Sequence, residues 1–131
     1  EVAPTGDDEA KIITAEKYKS NSGNWTQKVT FQIDGGTYRD HNEWYNLWSA
    51  NEDSKRIASE IFSRLAITVG FKKLPDLANE FIGKQLRLGI RQFEDNWKND
   101  QGEDVTSLKT KIIKMEPSEM KPTPVGDKPP F

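Results

Sequence analysis

The sequence Trp44-Tyr45-Asn46-Leu47-Trp48 places three large aromatic side chains within five residues, directly before a predicted helix. Side chains of a β-strand alternate between its two faces, so Tyr45 and Leu47 would share one face. Trp44, Asn46 and Trp48 would share the other. One face can then pack into a core, while the second presents two indole rings. The stretch therefore predicts a strand with a core face and a stacking face, as in a barrel that binds single-stranded nucleic acid.

The composition indicates one domain with flanking segments. The chain has 131 residues, of which 34% are apolar and 31% charged, with a formal net charge of −2. Residues 11–114 hold 17 bases and 14 acids, so the expected domain is mildly basic between acidic ends. There are no cysteines, which excludes disulfides and thiolate metal sites. No long apolar run is present, so we expect a cytoplasmic protein without a membrane span.

Alternating apolar and polar residues predict five strands, and helical spacing predicts one main helix. The residues expected on the apolar faces are Trp25, Val29, Phe31 and Ile33 of the second strand, and Leu86, Leu88 and Ile90 of the fourth. The helix would begin at Ser49, Asn51 or Asp53 and stop at Gly70. The residues expected on its apolar face are Ile57, Ile61, Leu65 and Val69, with Ala58 and Thr68 beside them. The predicted strands and a short second helix span, in order, Lys11–Lys19, Trp25–Ile33, Thr37–Trp48, the short helix Leu74–Ile82, Lys84–Phe93 and Val105–Met115.

The order of these strands and helices predicts a mainly β (α+β) fold. Three strands, a helical segment and two strands are the order of an OB-fold, a five-stranded Greek-key barrel with a helical insert between strands 3 and 4. Another α+β meander is the alternative. The predicted domain covers residues 11–115, between a disordered leader over 1–10 and a flexible tail over 116–131.

Catalytic signatures are missing from the sequence. His41 is the single histidine, which excludes a histidine-based triad or a site of several histidines. No glycine-rich phosphate loop occurs, and the acidic residues show no metal-ligand spacing. Asp40 and Glu43 flank His41, which we expect at a solvated strand edge. The sequence therefore predicts a protein that is not an enzyme and needs no cofactor or metal.

Aromatic and basic residues on the outer faces and loops form the candidate binding site. Stacking on aromatic rings tolerates any base, and lysine or arginine can hold the phosphates. In an OB-fold the ligand lies on strands 2 and 3 and on the 1–2 and 4–5 loops. The candidate residues for single-stranded DNA are Lys17, Tyr18, Lys19, Lys28, Trp44, Trp48, Arg87, Arg91, Trp97, Lys98, Lys109 and Lys111.

Two passages carry a resemblance to a known family. Asn46-Leu47-Trp48-Ser49-Ala50-Asn51, with the helix that ends at Val69-Gly70, and Phe81-Ile82-Gly83-Lys84-Gln85-Leu86-Arg87-Leu88 resemble a phage-encoded family long catalogued as a domain of unknown function. The chain departs from it at Ser49-Ala50, where Asn-Pro is usual. The resemblance implies single-stranded DNA binding among phage replication and recombination proteins.

The end of the chain carries a second resemblance. Pro129-Pro130-Phe131 is similar to the terminus of bacterial single-stranded DNA-binding proteins, whose strongly acidic tails recruit partner enzymes through a terminal Pro-Phe. Here only Asp127 lies near the end, beside Lys128. The resemblance implies a partner-binding role for these three residues, in replication or recombination.

Three hypotheses remain open at this point. The first is sequence-independent binding and protection of single-stranded DNA. The second is a protein–protein adaptor that binds no DNA, which the net negative charge favours and which burial of Trp44, Trp48 and Trp97 would support. The third is a small nuclease; the sequence counts against it, because it shows no group of residues with metal-ligand spacing.

Overall fold

The computed structural model describes residues 1–19, 21 and 23–118, which form a mainly β structure of the α+β class. Two short 3₁₀ turns, Asp34–Gly36 and Ala78–Phe81, accompany the main elements. The predicted order of three strands, a helical segment and two strands is confirmed. The elements are β1 (Gly6–Lys19), β2 (Trp25–Ile33), β3 (His41–Tyr45), α1 (Glu52–Thr68), β4 (Gln85–Lys98) and β5 (Asp104–Pro117).

The five strands form one antiparallel sheet in the order β3-β2-β1-β4-β5. β1 is the central strand, since its last part pairs with β2 and its first part pairs with β4. β3 and β5 are the two edges, and no ladder joins them among the described residues. The sheet is therefore open.

The core lies on one face of this sheet, where the sequence predicted it. Val29, Phe31 and Ile33 of β2 are fully buried, as expected from their alternation with polar residues. Leu86, Leu88 and Ile90 of β4 are buried in the same way, which confirms the prediction for that strand. Burying each such side chain contributes about 1.5–3 kcal/mol.

The predicted face of α1 is correct for Leu65 and Ala58, which are buried, and wrong for the two isoleucines. Ile57 and Ile61, expected in the core, are 48% and 38% exposed. The buried helix residues are Ala58, Phe62, Leu65 and Ala66, which also recur at helical spacing. Aromatic packing accounts for the choice, because the Phe62 ring lies 5.2 Å from the Tyr45 ring and 5.0 Å from the Phe81 ring.

The helix ends follow the sequence signals. Of the three candidate caps, Asn51 is the N-cap, and its Oδ1 accepts a hydrogen bond from the Ser54 amide at 3.0 Å. Ser49 supports this turn, since its Oγ accepts from the Asn51 amide at 3.1 Å. Gly70 follows the helix with φ +109°, a conformation that glycine adopts without strain.

Residues 1–10 differ from the expected disordered leader. β1 begins at Gly6, and residues 6–11 pair with β4, while Ala3 is fully buried. The acidic composition that suggested a solvated leader is balanced by bases, because Asp7 Oδ2 lies 3.3 Å from Arg87 Nη2 and 3.6 Å from Lys114 Nζ. Asp8 has a raised pKa, mainly from burial and further from Asp34 and Asp7.

Strand lengths differ from prediction at several ends. β3 covers only His41–Tyr45, because a 3₁₀ turn precedes it and the Leu47 amide bonds back to the Tyr45 carbonyl at 2.9 Å. The second helix is reduced to the 3₁₀ turn at Ala78–Phe81. Residues 96–98, expected in a loop, belong to β4. The expected tail begins too early, since Glu116 and Pro117 lie in β5; Pro129, Pro130 and Phe131 lie outside the described residues.

Candidate nucleic-acid interface

Lys28 lies between two aromatic rings on the sheet surface. On β2 it is opposite Trp44 of β3 and Glu16 of β1. Its Nζ is 5.9 Å from the Tyr18 ring centroid and 5.8 Å from the Trp44 ring centroid. Both distances fall within the range of cation–π attraction. Tyr18, Lys28 and Trp44 are called the outer cluster here.

A second group surrounds Lys17 at the end of the β1–β2 hairpin. Lys17 Nζ is 4.5 Å from the Trp48 ring centroid and 5.1 Å from that of Trp25. Lys19 Nζ lies 5.7 Å from the Trp25 ring. These four residues form the hairpin cluster. Lys17 and Tyr18 are neighbours in one strand, so the two clusters start on opposite faces of β1.

The expectation that Trp44 and Trp48 share a strand face is wrong. β3 ends at Tyr45, and the chain turns there, with the Ser49 amide donating to the Asn46 carbonyl at 3.3 Å. Trp44 thus belongs to the outer cluster, while the turn brings Trp48 to Lys17. The turn was not predicted, because the aromatic residues around Asn46 and Ser49 indicated a strand. Asparagine and serine are nevertheless common in turns.

The long β4–β5 hairpin carries a third group. Arg91 lies opposite Lys111 and Phe93 opposite Lys109, and Trp97 follows on the same strand face. Lys109 Nζ is 5.3 Å from the Trp97 ring and also pairs with Asp95 Oδ2 at 2.5 Å. The five residues of this ribbon cluster are Arg91, Phe93, Trp97, Lys109 and Lys111.

Two predicted site residues stand apart from these clusters. Arg87 lies near the start of β4, half-buried and ion-paired with Asp7. Lys98 lies at the end of β4, and its Nζ is 2.7 Å from Asp104 Oδ1. The structure therefore groups the other ten described candidates into three clusters and leaves these two in ion pairs.

Two residues were missed by the sequence reasoning. Trp25 was placed on the apolar face of β2 with Phe31, and it does have that parity, but it lies at the strand end beyond the core. Its position directly after a turn was the available signal. Phe93 was used only as the end of a strand, although its even spacing from Arg91 and Trp97 indicates the same face.

All five rings that contact a lysine in these clusters are about half exposed. Tyr18, Trp25, Trp44, Trp48 and Trp97 keep between 43% and 48% of their surface accessible. Cation–π attraction at exposed sites is about 0.5–1 kcal/mol, so each ammonium is held only weakly over its ring. A ring can therefore accept a base while the lysine turns to a phosphate.

His41 joins the two edges of the sheet. Its Nε2 lies 2.7 Å from Glu43 Oε1, and its Nδ1 lies 2.8 Å from Thr110 Oγ1 on β5. A carboxylate only accepts hydrogen bonds, so in the neutral ring Nε2 donates to Glu43 and Nδ1 accepts from Thr110. The expectation of a solvated edge is wrong for His41, which is buried. Tyr45, two residues after Glu43 on the same strand, has a raised pKa because it is buried and because Glu43 is near.

Within residues 1–19, 21 and 23–118, no group of three or more histidine, aspartate or glutamate side chains could hold a metal ion. Over the same residues, no helix has the length and apolar character to cross a membrane.

A family model described as "Protein of unknown function (DUF669)" matches residues 1–121, which include every strand and the helix. The chain belongs to this DUF669 family. No curated protein sequence matches the chain. The description of this DUF669 family assigns no activity.

Proposed function

We propose that the protein binds single-stranded DNA without sequence preference and protects it. The observation that carries this proposal is the repeated pairing of a half-exposed aromatic ring with a lysine ammonium, in three separate clusters. Base stacking on such rings contributes about 1–3 kcal/mol per base, and any base can stack. Lysines beside the rings supply the phosphate contacts that make such binding salt-sensitive.

The arrangement of the strands supports an OB-type barrel as the scaffold. The pairs β1–β2, β2–β3, β1–β4 and β4–β5 are those such a barrel requires, and an OB-fold is partly open. The remaining gap, between β3 and β5, is bridged by the His41–Thr110 hydrogen bond. With β5 beside β3, the outer cluster and the ribbon cluster would lie along one continuous surface.

The biological setting belongs to the same proposal. The resemblance of residues 46–51 and 81–88 to phage proteins supports a role in phage DNA replication or recombination. A partner enzyme would be recruited through Pro129, Pro130 and Phe131, which lie outside the described residues. The proposal involves no catalysis and no cofactor.

A protein–protein adaptor is the second candidate. The net charge of −2 favours it, as do the exposed Ile57, Ile61 and Ile67 side chains of α1. The half-exposed rings of Trp44, Trp48 and Trp97 count against it, because a pure adaptor on this fold would have no need for lysines above them.

Tryptophan fluorescence distinguishes the two candidates. Titration with oligo-dT at low salt should quench the emission saturably, and duplex DNA of the same length should quench it much less. RNA of matched length would establish whether the sugar matters. Raising the salt should weaken the binding. Absence of any binding at low salt would exclude the DNA-binding proposal and leave the adaptor.

A further inference from the structure

A small cavity lies between β3 and α1, next to the outer cluster. Its volume is about 270 Å³, and Trp44, Ile57 and Ile61 supply its apolar walls. Glu43 and Asn46 also line it. Pockets for drug-sized ligands measure about 300–1,000 Å³, so this one suits a smaller planar group.

The cavity adjoins the path of the proposed DNA strand. Trp44 belongs both to its wall and to the outer cluster, where Lys28 lies 5.8 Å from the Trp44 ring centroid. A phosphate held by Lys28 would bring the attached nucleotide close to Trp44, and so to the side of the cavity that Trp44 lines. The apolar walls match the faces of a base, and the polar groups match its edge.

Glu43 gives the cavity a hydrogen-bonding preference. Its Oε1 accepts from His41 Nε2 at 2.7 Å, and Thr110 holds the other ring nitrogen, so the carboxylate is fixed in orientation. A carboxylate can only accept hydrogen bonds. Cytosine offers an amino group at position 4, whereas thymine and uracil offer a carbonyl oxygen at the same position.

We propose that this cavity holds one base of the bound strand, between Trp44 and the two isoleucines, and that Glu43 selects a base with an exocyclic amino group. This inference rests on the proposed function. It adds a preference at a single nucleotide position to binding that is otherwise independent of sequence. Asn46 would contact the remaining polar edge of the base.

Oligo-dC and oligo-dU of equal length test the preference, because their bases differ at the pairing edge and not by a methyl group. Binding of the full chain to each strand is measured by fluorescence anisotropy at neutral pH and fixed salt. We expect oligo-dC to bind about three- to tenfold more tightly, the net contribution of one hydrogen bond made in competition with water.

Glu43→Gln should bring the ratio of the two dissociation constants close to one. Glu60→Gln is the matched control, because it also removes one negative charge. Glu60 lies on α1, where it contacts Arg56, and it does not line this cavity. The control should keep the preference for oligo-dC. If the control loses the preference as well, general charge and not the cavity is responsible, and the inference is wrong.

A second pair of variants covers the case in which Glu43→Gln fails to fold. Ile57→Gln makes a cavity wall polar at a half-exposed position and should reduce the preference. Ile67→Gln changes an exposed helix residue that does not line this cavity and should not. Equal binding of both strands by the unaltered chain overturns the inference alone. Binding of neither strand overturns the proposed function.

Discussion

His41 Nδ1 on β3 lies 2.8 Å from Thr110 Oγ1 on β5, a residue 69 positions later in the chain. These strands are the two edges of the sheet, and they form no ladder in the described part of the chain. One side-chain hydrogen bond thus makes a connection that a closed barrel would make through its backbone. The same imidazole holds Glu43, so the junction of the edges also organises one wall of the β3–α1 cavity.

Thr110→Val tests how much the hydrogen bond between His41 and Thr110 contributes to the stability of the fold. Valine keeps the shape of threonine but leaves His41 Nδ1 without its partner, so we expect the free energy of unfolding to fall by about 1–3 kcal/mol. Urea unfolding followed by tryptophan fluorescence measures it. Thr106→Val is the control, because its hydroxyl bonds Asn96 at an exposed site where water can replace it. Equal losses in both variants would show that the bridge has no special role.

Trp44→Ala should weaken binding of single-stranded DNA by about 1–3 kcal/mol, the contribution of one stacked base. Trp44→Phe keeps a ring and should recover part of the loss. Thermal unfolding should change little in either variant, since the ring is half exposed. Leu77→Ala removes another exposed apolar side chain, away from all three clusters, and should bind normally. Normal binding by Trp44→Ala would remove the outer cluster from the interface.

Lys28→Gln should change the salt dependence of binding. Each phosphate contact on a single strand contributes about 0.7 to the slope of log affinity against log salt, so the slope should become shallower by about that amount. Lys55→Gln alters a lysine on α1 outside the clusters and should leave the slope unchanged. An unaltered slope in Lys28→Gln would mean that Lys28 contacts no phosphate. Titrations at four or more salt concentrations provide the measurement.

The two ends of the chain should respond differently to truncation. Removal of residues 1–10 takes away the pairing of Gly6–Ala10 with β4 and the buried Ala3, so it should cost several kcal/mol of stability. Removal of residues 119–131 should leave stability and DNA binding nearly unchanged, because β5 ends at Pro117 and the removed residues have no net charge. Binding to a replication or recombination partner should be lost with this second truncation. Thermal melts and DNA titrations of both truncated chains test the pair.

Tyr45 should make the protein less stable in alkali. Its pKa in the folded chain is raised, so the native state keeps the phenol proton when the unfolded chain has lost it. Its contribution is therefore complete below about pH 10, the pKa of an unperturbed tyrosine, and declines as the pH rises further. Tyr45→Phe should flatten the decline of stability above that pH. Tyr18→Phe leaves the buried tyrosine in place, so this variant should show the same decline of stability as the unaltered chain.

Prediction from sequence was accurate where apolar and polar residues alternate regularly. β2 has the predicted limits of Trp25 and Ile33, because Val29, Phe31 and Ile33 alternate there with polar residues. In α1, Leu65 is buried as predicted, but periodicity alone could not show that Phe62 and Ala66 are buried in place of Ile57 and Ile61. The rings of Tyr45 and Phe81 decide between them, and these come from distant parts of the chain.

The candidate site shows the same limit. Alternation on the strands predicted which lysine, arginine and aromatic side chains lie outside the core. Their partners could not be predicted, because the contacts of Lys17 with Trp48 and of Lys28 with Trp44 depend on a turn and on strand register. Arg87 was included for its outward parity, but the acid that binds it lies in a segment expected to be disordered.

The central position of β1 has a consequence for the order of folding. Gly6 pairs with Ile90 and Lys11 with Gln85, so the first strand to be synthesised completes its second ladder only after β4 exists. Such distant pairings slow folding, because the entropy of closing a long loop is lost before the favourable contacts form. Until then one side of β1 is an unpaired edge, open to pairing with another chain. We expect aggregation during refolding to compete most strongly before β4 docks.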